Sequence, residues 1–431
     1  MSLTNYHSFY LEMSQRGLIQ DITPDTEKAL STSKMTGYIG FDPTSDSLHV
    51  GSLAQIITLM RFQKAGHIPI VLVGGATGMI GDPSGKSQER NLLNKETLDY
   101  NIECIKKQLS MFLDFTAKDN SALLLNNYDW FKDISFIDFI RNVGKHISVS
   151  YMMAKDSVQT RLEKGISFTE FSYQLLQAYD FLYMNEHYNC SLQMGVADQW
   201  GNITTGTELI RKKTGKETYA LTSPLIKKAD GTKFGKTEGG NVWLDKNKTS
   251  PYKFYQFWLN TSDDDAKNYI KVFTFLSLDE INSLIQKHNT EPHLRHLQKE
   301  LAKQITIMVH GEQDYQDSVK ASEILFNGTM NDLAALPDSL FKDIMDGVPV
   351  SKITTQEASV GIDILEFLTT HTQIFPSKSE ARKMLTANAV AINKEKVSDI
   401  KMTLSLNSFI NNQFILIQKG KKNYYLCYLE K

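Results

Sequence analysis

The sequence predicts an α/β fold built on a parallel sheet, followed by an all-α stretch and a small α+β block. Three observations predict it. Short apolar, β-rich runs alternate with helical stretches up to about residue 226. Residues 251–326 carry helical patterning with few β-branched clusters. The final block, 359–431, starts with a helix-like run and ends in the strand-like FILIQ and YYLCYL. A length of 431 residues suits two to four domains of ordinary size.

Taken in order, MTGYIGF at 35–41 reads as a strand running into the polar loop DPTSDSLH. A helix follows from about Gly51, with Leu53, Ile56, Ile57, Met60 and Phe62 at apolar positions. IPIVLVGGAT at 68–77 is a short apolar run of the buried parallel type. A helix over about 95–115, a strand at 122–125, a helix over 168–188 and a strand at 190–196 come next, then a helix over about 200–213 and strand-like ETYALTSPLI. Such a βαβ rhythm implies a parallel sheet whose ligands sit at the carboxyl ends of its strands. The loops after 41, 77 and 196 are therefore the ones to examine. Residues 227–240, KKADGTKFGKTEGG, are too rich in Gly and Lys for a buried element. Residues 327–358 are polar and punctuated by Pro and Gly, which predicts a linker.

Hydrophobic residues make up 41% and charged residues 22%, the values of a globular chain with a sizeable core rather than a disordered one. The three cysteines, Cys104, Cys190 and Cys427, form no CxxC pair, so neither a disulfide framework nor a zinc knuckle is expected. No signal peptide or membrane-length apolar run is legible, and the cytoplasm is the expected compartment. Net charge is −2, which on its face disfavours a nucleic-acid partner. The sum is uneven, however. Residues 376–431 hold ten Lys/Arg against four acids, a net of +6, leaving −8 for the rest. On charge alone that tail reads equally well as a solvated surface or a docking site for a polyanion.

Two familiar phosphate motifs fail. GDPSGKS at 81–87 has Ile80 where a Walker loop needs its first glycine, and VGGATGMIG has Val73 where a dinucleotide fingerprint needs its own. Two other segments succeed as a pair. In GFDPTSDSLHVGS, 40–52, Gly40 allows close approach of a ligand to a strand end, and His49, Gly51 and Ser52 open a helix whose free N–H groups suit a triphosphate. In KFGKT, 233–237, Lys233, Lys236 and Thr237 on a glycine-flanked loop can neutralise a pyrophosphate leaving group. Alone, the first reads as a capped helix entry and the second as a polar turn. Tyr173, Gln177 and Asp180 lie at i, i+4 and i+7 and so project from one helical face.

Together the two segments resemble the HIGH and KMSKS signatures of class I aminoacyl-tRNA synthetases. The words YIGFDPTSDSLHVG, VGGATGMIGDPSGKSQER, YQLLQAYDFLY, ADQWGNITTGTELIR and ADGTKFGKTEGGNVWLD look like the bacterial-type tyrosine-specific branch of that family, from about residue 35 to the C-terminus. The resemblance implies a Rossmann-like catalytic domain over 1–226, the KFGKT signature loop over 227–250, an α-helical domain over 251–326, the linker 327–358 and an S4-like RNA-binding domain over 359–431. It implies that Tyr38 and Asp180 hydrogen-bond the phenolic hydroxyl of L-tyrosine, that Tyr173, Gln177 and Asp82 hold its α-amino group, and that Gln199 orients its carboxylate. His49 and Ser52 would meet the phosphates of ATP, with Lys86 and Arg90 approaching from the next loop. Lys233, Lys236 and Thr237 would close over pyrophosphate, Asp198 would reach the ribose, and Gly40 and Asp42 would line the same site. Mg²⁺ would accompany ATP, with no protein metal cage and no tightly bound cofactor. In the tail, SKSEARKMLTANAVAINKEKVSD resembles an S4 module, and Arg382, Lys383 and Asn388 would face RNA. The implied partners are tRNA(Tyr), L-tyrosine, ATP and a second copy of the chain, with no membrane and no DNA. Selection against phenylalanine of about 10⁴–10⁵ is the figure established for this enzyme class itself, not one worked from these residues. Three positions depart from the family pattern: Ser52 for a second signature His, Ile39 for Cys and Val196 for Gly. The competing readings are a tryptophan-specific relative or other nucleotidyltransferase, and a non-catalytic RNA-binding protein that kept the fold. The second would be expected to lose His49 and the signature lysines, which are present.

Overall fold

The structure, a computed structural model, describes residues 6–84, 93–162, 165–232, 234–237, 240–329, 331–332, 335–346, 348–420 and 423–430. The chain forms two compact units, Met1–Thr249 with Phe257–Ile305, and Ser250–Gln256 with Thr306–Lys431. The helical stretch expected as a domain of its own, 251–326, is thus shared between them.

The first unit holds a six-stranded sheet of β1 (Asp21–Ile22), β2 (Thr36–Phe41), β3 (Ile68–Val73), β4 (Leu123–Asn126), β5 (Cys190–Val196) and β6 (Tyr219–Ser223), in the order β1-β6-β5-β2-β3-β4. All pairings are parallel except the short edge pair β1–β6. Its helices are α1 (His7–Gln15), α2 (Thr26–Thr32), α3 (Val50–Lys64), α4 (Thr77–Ile80), α5 (Lys95–Leu109), α6 (Tyr128–Phe131), α7 (Phe136–Asn142), α8 (Val149–Met153), α9 (Asp156–Leu162), α10 (Phe168–Tyr188) and α11 (Trp200–Thr214). Residues of α12 (Pro251–Leu259) belong to both units, and α13 (Asp263–Phe273) belongs to the first. The central strands β2 and β3 are buried along almost their whole length, as near-continuous apolar runs covered on both faces must be. Tyr38, Ile70 and Leu72 from these strands pack with Ala178, Phe181 and Leu182 of α10 and with Leu209 and Ile210 of α11. Asn189 in the left-handed conformation stops α10, and Gly215 stops α11.

Strand order fixes where a ligand can enter. The chain runs outward from β2 to β3 to β4, then returns to place β5 on the other side of β2. The crevice at the carboxyl ends of β2 and β5 is therefore the switch point of the sheet, where the flanking connections diverge and leave room.

The second unit is built on a five-stranded sheet, β12 (Glu395–Lys396), β11 (Val390–Ile392), β14 (Phe414–Lys419), β15 (Asn423–Glu430) and β9 (Val350–Thr354), in that order, beside the two-residue pair β10 (Ile362–Asp363) and β13 (Thr403–Leu404). Alternation along β14 divides the core. Ile415 and Ile417 pack with Phe367, Phe375 and Leu385, while Phe414 and Leu416 pack with Leu336, Phe341, Ile344 and Met345. The linker expected at 327–358 is corrected by this arrangement. It contains the helix Asp338–Ile344 and strand β9, which pairs in parallel with β15. Phe341, Ile344 and Met345 follow a helical apolar spacing that the surrounding Gly, Pro and Asp residues obscure.

Candidate active site

A cavity of 630 Å³ opens at the switch point. Strand β2 delivers Tyr38, Gly40 and Asp42 to it in succession, and one face of α10 delivers Tyr173, Gln177 and Asp180. His49, Gly51 and Ser52 at the start of α3, Asp82 in the loop after α4, and Asp198 and Gln199 after β5 complete the wall. Twelve residues expected from sequence thus line one cavity. Ile39 and Val196, two of the departures from the family pattern, line it too. Lys86, Arg90 and Lys233 lie outside the described residues, as do the side chains of Lys236 and Thr237.

Tyr38 and Asp180 are both almost fully buried, and they differ in how their polar atoms are satisfied. Asp180 Oδ1 accepts from Trp130 Nε1 at 2.9 Å and Oδ2 accepts from Asn127 Nδ2 at 3.1 Å. Burial pushes its carboxyl up to about 8, against the pull of those two donors. The Tyr38 hydroxyl has no hydrogen-bond partner among the described residues. Burial, then the charge of Asp180, holds that phenol well above its ordinary pKa, so it stays a neutral donor.

A chain of hydrogen bonds runs from Asp180 to Asp42, both in the cavity wall. Asn127 Nδ2 also donates to Thr77 Oγ1 at 3.0 Å, and Thr77 Oγ1 donates to Asp42 Oδ1 at 2.8 Å. Tyr173 donates its hydroxyl proton to Asp42 Oδ2 at 2.8 Å. Burial, Asp42 and Asp82 raise the Tyr173 phenol. Across the cavity, Gln199 Nε2 donates to Asp82 Oδ2 at 2.6 Å, and the Ser84 N–H donates to Asp82 Oδ1 at 2.9 Å. Asn202 Nδ2 donates to Gln177 Oε1 at 3.1 Å. Gly74 explains the glycine pair after β3, because a Cβ there would stand 2.0 Å from Asp42 Oδ1 and 2.3 Å from Thr77 Oγ1.

Sequence reasoning passed over Thr77, Ser84, Asn127, Trp130 and Asn202. Asn127 was within reach of it. It directly follows β4 at the carboxyl edge of the sheet, where the ligand rule applies as it does to β2, β3 and β5.

The two signature segments meet in space. His49 is the N-cap of α3, and its Nδ1 accepts from the Gly51 N–H at 3.0 Å. The lysine-rich segment returns as a hairpin of β7 (Lys236–Thr237) and β8 (Gly240–Asn241). The Val50 N–H donates to the Val242 carbonyl at 2.9 Å, and the Leu244 N–H donates to the Leu48 carbonyl at 2.9 Å. Gly235, with φ +82°, stands where a Cβ would lie 3.1 Å from Val50 Cγ2 and 3.5 Å from the Gly51 nitrogen. Glycine lets the loop reach the positive end of α3, the place suited to phosphate.

In the second unit, Arg382 and Lys383 are exposed on the helix Lys378–Thr386, and Asn388 follows it with φ +53°.

A nucleotide-sized cavity at the switch point, with a His-capped helix and a Gly-Lys loop beside it, defines a class I synthetase architecture. In agreement, residues 30–327 match the model of the class I tRNA synthetases for tryptophan and tyrosine, and residues 341–427 match that of the tyrosine–tRNA ligase SYY-like C-terminal domain. The chain is 57% identical to the tyrosine–tRNA ligase of Flavobacterium psychrophilum, over 96% of this chain and 98% of that one. It is 55% identical to that of Parabacteroides distasonis, over 97% and 99%. Among solved structures it is similar to a C-terminally truncated mitochondrial tyrosyl-tRNA synthetase of Aspergillus nidulans, with a TM-score of 0.67 and 27% identity, covering 75% of this chain and 98% of that one. The chain belongs to the tyrosine–tRNA ligase family.

Proposed function

We propose that the protein activates L-tyrosine with ATP and transfers it to the 3′ end of tRNA(Tyr). The observation that carries this reading is the joint presence in the cavity of a buried tyrosine hydroxyl with no hydrogen-bond partner among the described residues, Tyr38, and a buried carboxyl, Asp180. A substrate phenol pairs with both, donating to Asp180 and accepting from Tyr38. Phenylalanine leaves the Tyr38 hydroxyl without a partner and offers Asp180 no further donor, and a buried polar group denied its partner is what rejects it. Tyr173, Gln177 and Asp82 take the α-amino group, and Gln199 orients the carboxylate.

In the first step a tyrosine carboxylate oxygen bonds to the α-phosphorus. The bond from that phosphorus to the bridging oxygen breaks, and its electron pair leaves with pyrophosphate. No side chain becomes covalently attached; the protein contributes position and charge. His49 and Ser52 at the positive end of α3 meet the phosphates, with Lys86, Arg90, Lys233, Lys236 and Thr237 from the two adjoining loops. Asp198 meets the ribose, and Gly40 and Asp42 line the nucleotide side. Mg²⁺ enters with ATP as part of the substrate.

Residues 359–431 act as an S4-like module, with Arg382, Lys383 and Asn388 toward the RNA backbone. The protein acts as a cytoplasmic homodimer. Supporting the dimer, α7 buries none of its residues and exposes Phe136, Ile137 and Ile140, and Val149 and Phe168 nearby in sequence are also exposed. Tyrosine-dependent exchange of labelled pyrophosphate into ATP tests the core reading. Absence of exchange, under conditions where a control synthetase is active, refutes it.

A further inference from the structure

Helix α13 belongs to no signature, yet three of its side chains hold the signature segment. Asp265, Tyr269 and Phe273 are spaced i, i+4 and i+8 and form one stripe. The buried Asp265 accepts the Ala229 N–H at 2.8 Å, ahead of the loop tip. Tyr269 donates its hydroxyl to the Lys227 carbonyl at 3.4 Å. Beyond the tip, the Phe234 ring stands 4.8 Å from that of Tyr269 and 5.3 Å from that of Phe273, with Trp258 at 5.8 Å. The segment is therefore fastened on both sides of Gly231.

The far end of α13 is fastened to the other signature. Arg61, in the last turn of α3, is 1% exposed and donates to the Thr274 carbonyl at 2.8 Å and the Lys271 carbonyl at 3.3 Å. Arg16 donates to the Lys271 carbonyl at 3.1 Å and the Leu276 carbonyl at 2.6 Å. Glu12 pairs with both guanidiniums. Two arginines thus satisfy the free carbonyls at a helix C-terminus, where cations are also favoured by the helix dipole. One of them sits on the helix that His49 caps.

We propose that α13 is the mount of the signature loop, with Phe234 and Asp265 as positioning residues that set where the loop stands relative to the start of α3. The proposal rests on the activation chemistry given above. Its logic is geometric: a displacement of about 1 Å in a phosphate-binding group costs on the order of 100-fold in rate, whereas tyrosine is held by β2 and α10, away from this stripe.

The test measures pyrophosphate exchange and equilibrium tyrosine binding on the full chain and its variants. Wild-type chain without exchange refutes the activation reading itself, before any variant is compared. Given wild-type exchange, Phe234→Ala and Asp265→Ala are each expected to lower the exchange rate at fixed ATP by about 10- to 100-fold, with tyrosine affinity within about twofold. Phe234→Met, which keeps an apolar anchor, and Asp265→Asn, which keeps the acceptor for the Ala229 N–H, are expected to recover most of the rate. Exchange within about twofold of wild type in both alanine variants overturns the proposal. A parallel fall in tyrosine affinity also overturns it, because it shows a general structural role.

Discussion

Removing the Tyr38 hydroxyl separates recognition from stability, because the two respond in opposite ways. The hydroxyl has no partner among the described residues, so Tyr38→Phe breaks no hydrogen bond among them. The unfolding midpoint is expected to stay where it is or rise. Tyrosine binding loses one neutral hydrogen bond, worth about 0.5–1.5 kcal/mol net. At about 1.4 kcal/mol per tenfold, affinity falls by about two- to twelvefold. Phenylalanine makes no such bond and gains or holds its affinity, so the ratio between the two amino acids narrows by at least the same factor. Tyr173→Phe is the control. Its hydroxyl donates to Asp42 at 2.8 Å, so the same deletion removes a buried hydrogen bond to a carboxylate and is expected to lower stability by ~1.5–3 kcal/mol. Urea unfolding of both variants, with equilibrium dialysis against tyrosine and phenylalanine, reads all these quantities. The reasoning is refuted if Tyr38→Phe destabilises as Tyr173→Phe does while tyrosine affinity stays unchanged.

Burial raises the Asp180 carboxyl from 3.8 to about 8, so the folded chain holds a proton there across a pH range in which the unfolded chain does not. The stability this contributes is complete below pH 3.8 and lost as pH rises toward about 8; Asp180→Asn is expected to flatten that slope in urea titrations. Tyrosine donating to the carboxylate favours its charged form, so binding at pH 7 is expected to release a proton to buffer, measurable by calorimetry in buffers of different ionisation enthalpy. Arg382→Glu combined with Lys383→Glu is expected to weaken tRNA binding and reduce the magnitude of its salt slope by about 2, as filter binding across salt concentrations would show. Ile137→Asp places a charge on the exposed face of α7 and is expected to convert the proposed dimer to monomer in sedimentation velocity; a monomeric wild type overturns the proposed dimer outright.

Part of the candidate site was legible from periodicity and topology, and the roles of Tyr38, Asp82, Asp198 and Gln199 only through the resemblance of the segments that hold them. Strand β5 and helix α10 run over the same residues that the apolar pattern gives, Cys190–Val196 and Phe168–Tyr188. Tyr173, Gln177 and Asp180 then fall on one face by arithmetic. Trp130 escaped because α6 is a single turn, too short to show a period, and its buried indole reads as ordinary core until its N–H is seen on Asp180. The packed elements of 327–358 escaped for a different reason. Each is short, and a strand such as β9, V-S-K-I-T, with one buried residue in five, becomes a strand only by pairing with β15, far along the chain. Local pattern does not encode such a partner.

The chain from Asp180 through Asn127 and Thr77 to Asp42 bears on how discrimination reaches the chemistry. Asp180 and Asp42 line one cavity, and the charge of Asp42 is among the causes that push Asp180 upward. Asn127 and Thr77 stand between them and donate toward both carboxyls. The Asn127 amide is also held on its oxygen side, where Oδ1 accepts the Ala76 N–H at 2.7 Å, while Thr77 Oγ1 accepts from Asn127 Nδ2 and donates to Asp42 Oδ1. A substrate phenol that draws Asp180 into its charged form therefore acts on the same hydrogen-bond chain that fixes Asp42 and, through it, the Tyr173 hydroxyl. On the proposed function, recognition of one hydroxyl and alignment of the reacting groups share a single buried network, placed where the parallel sheet reverses its strand order.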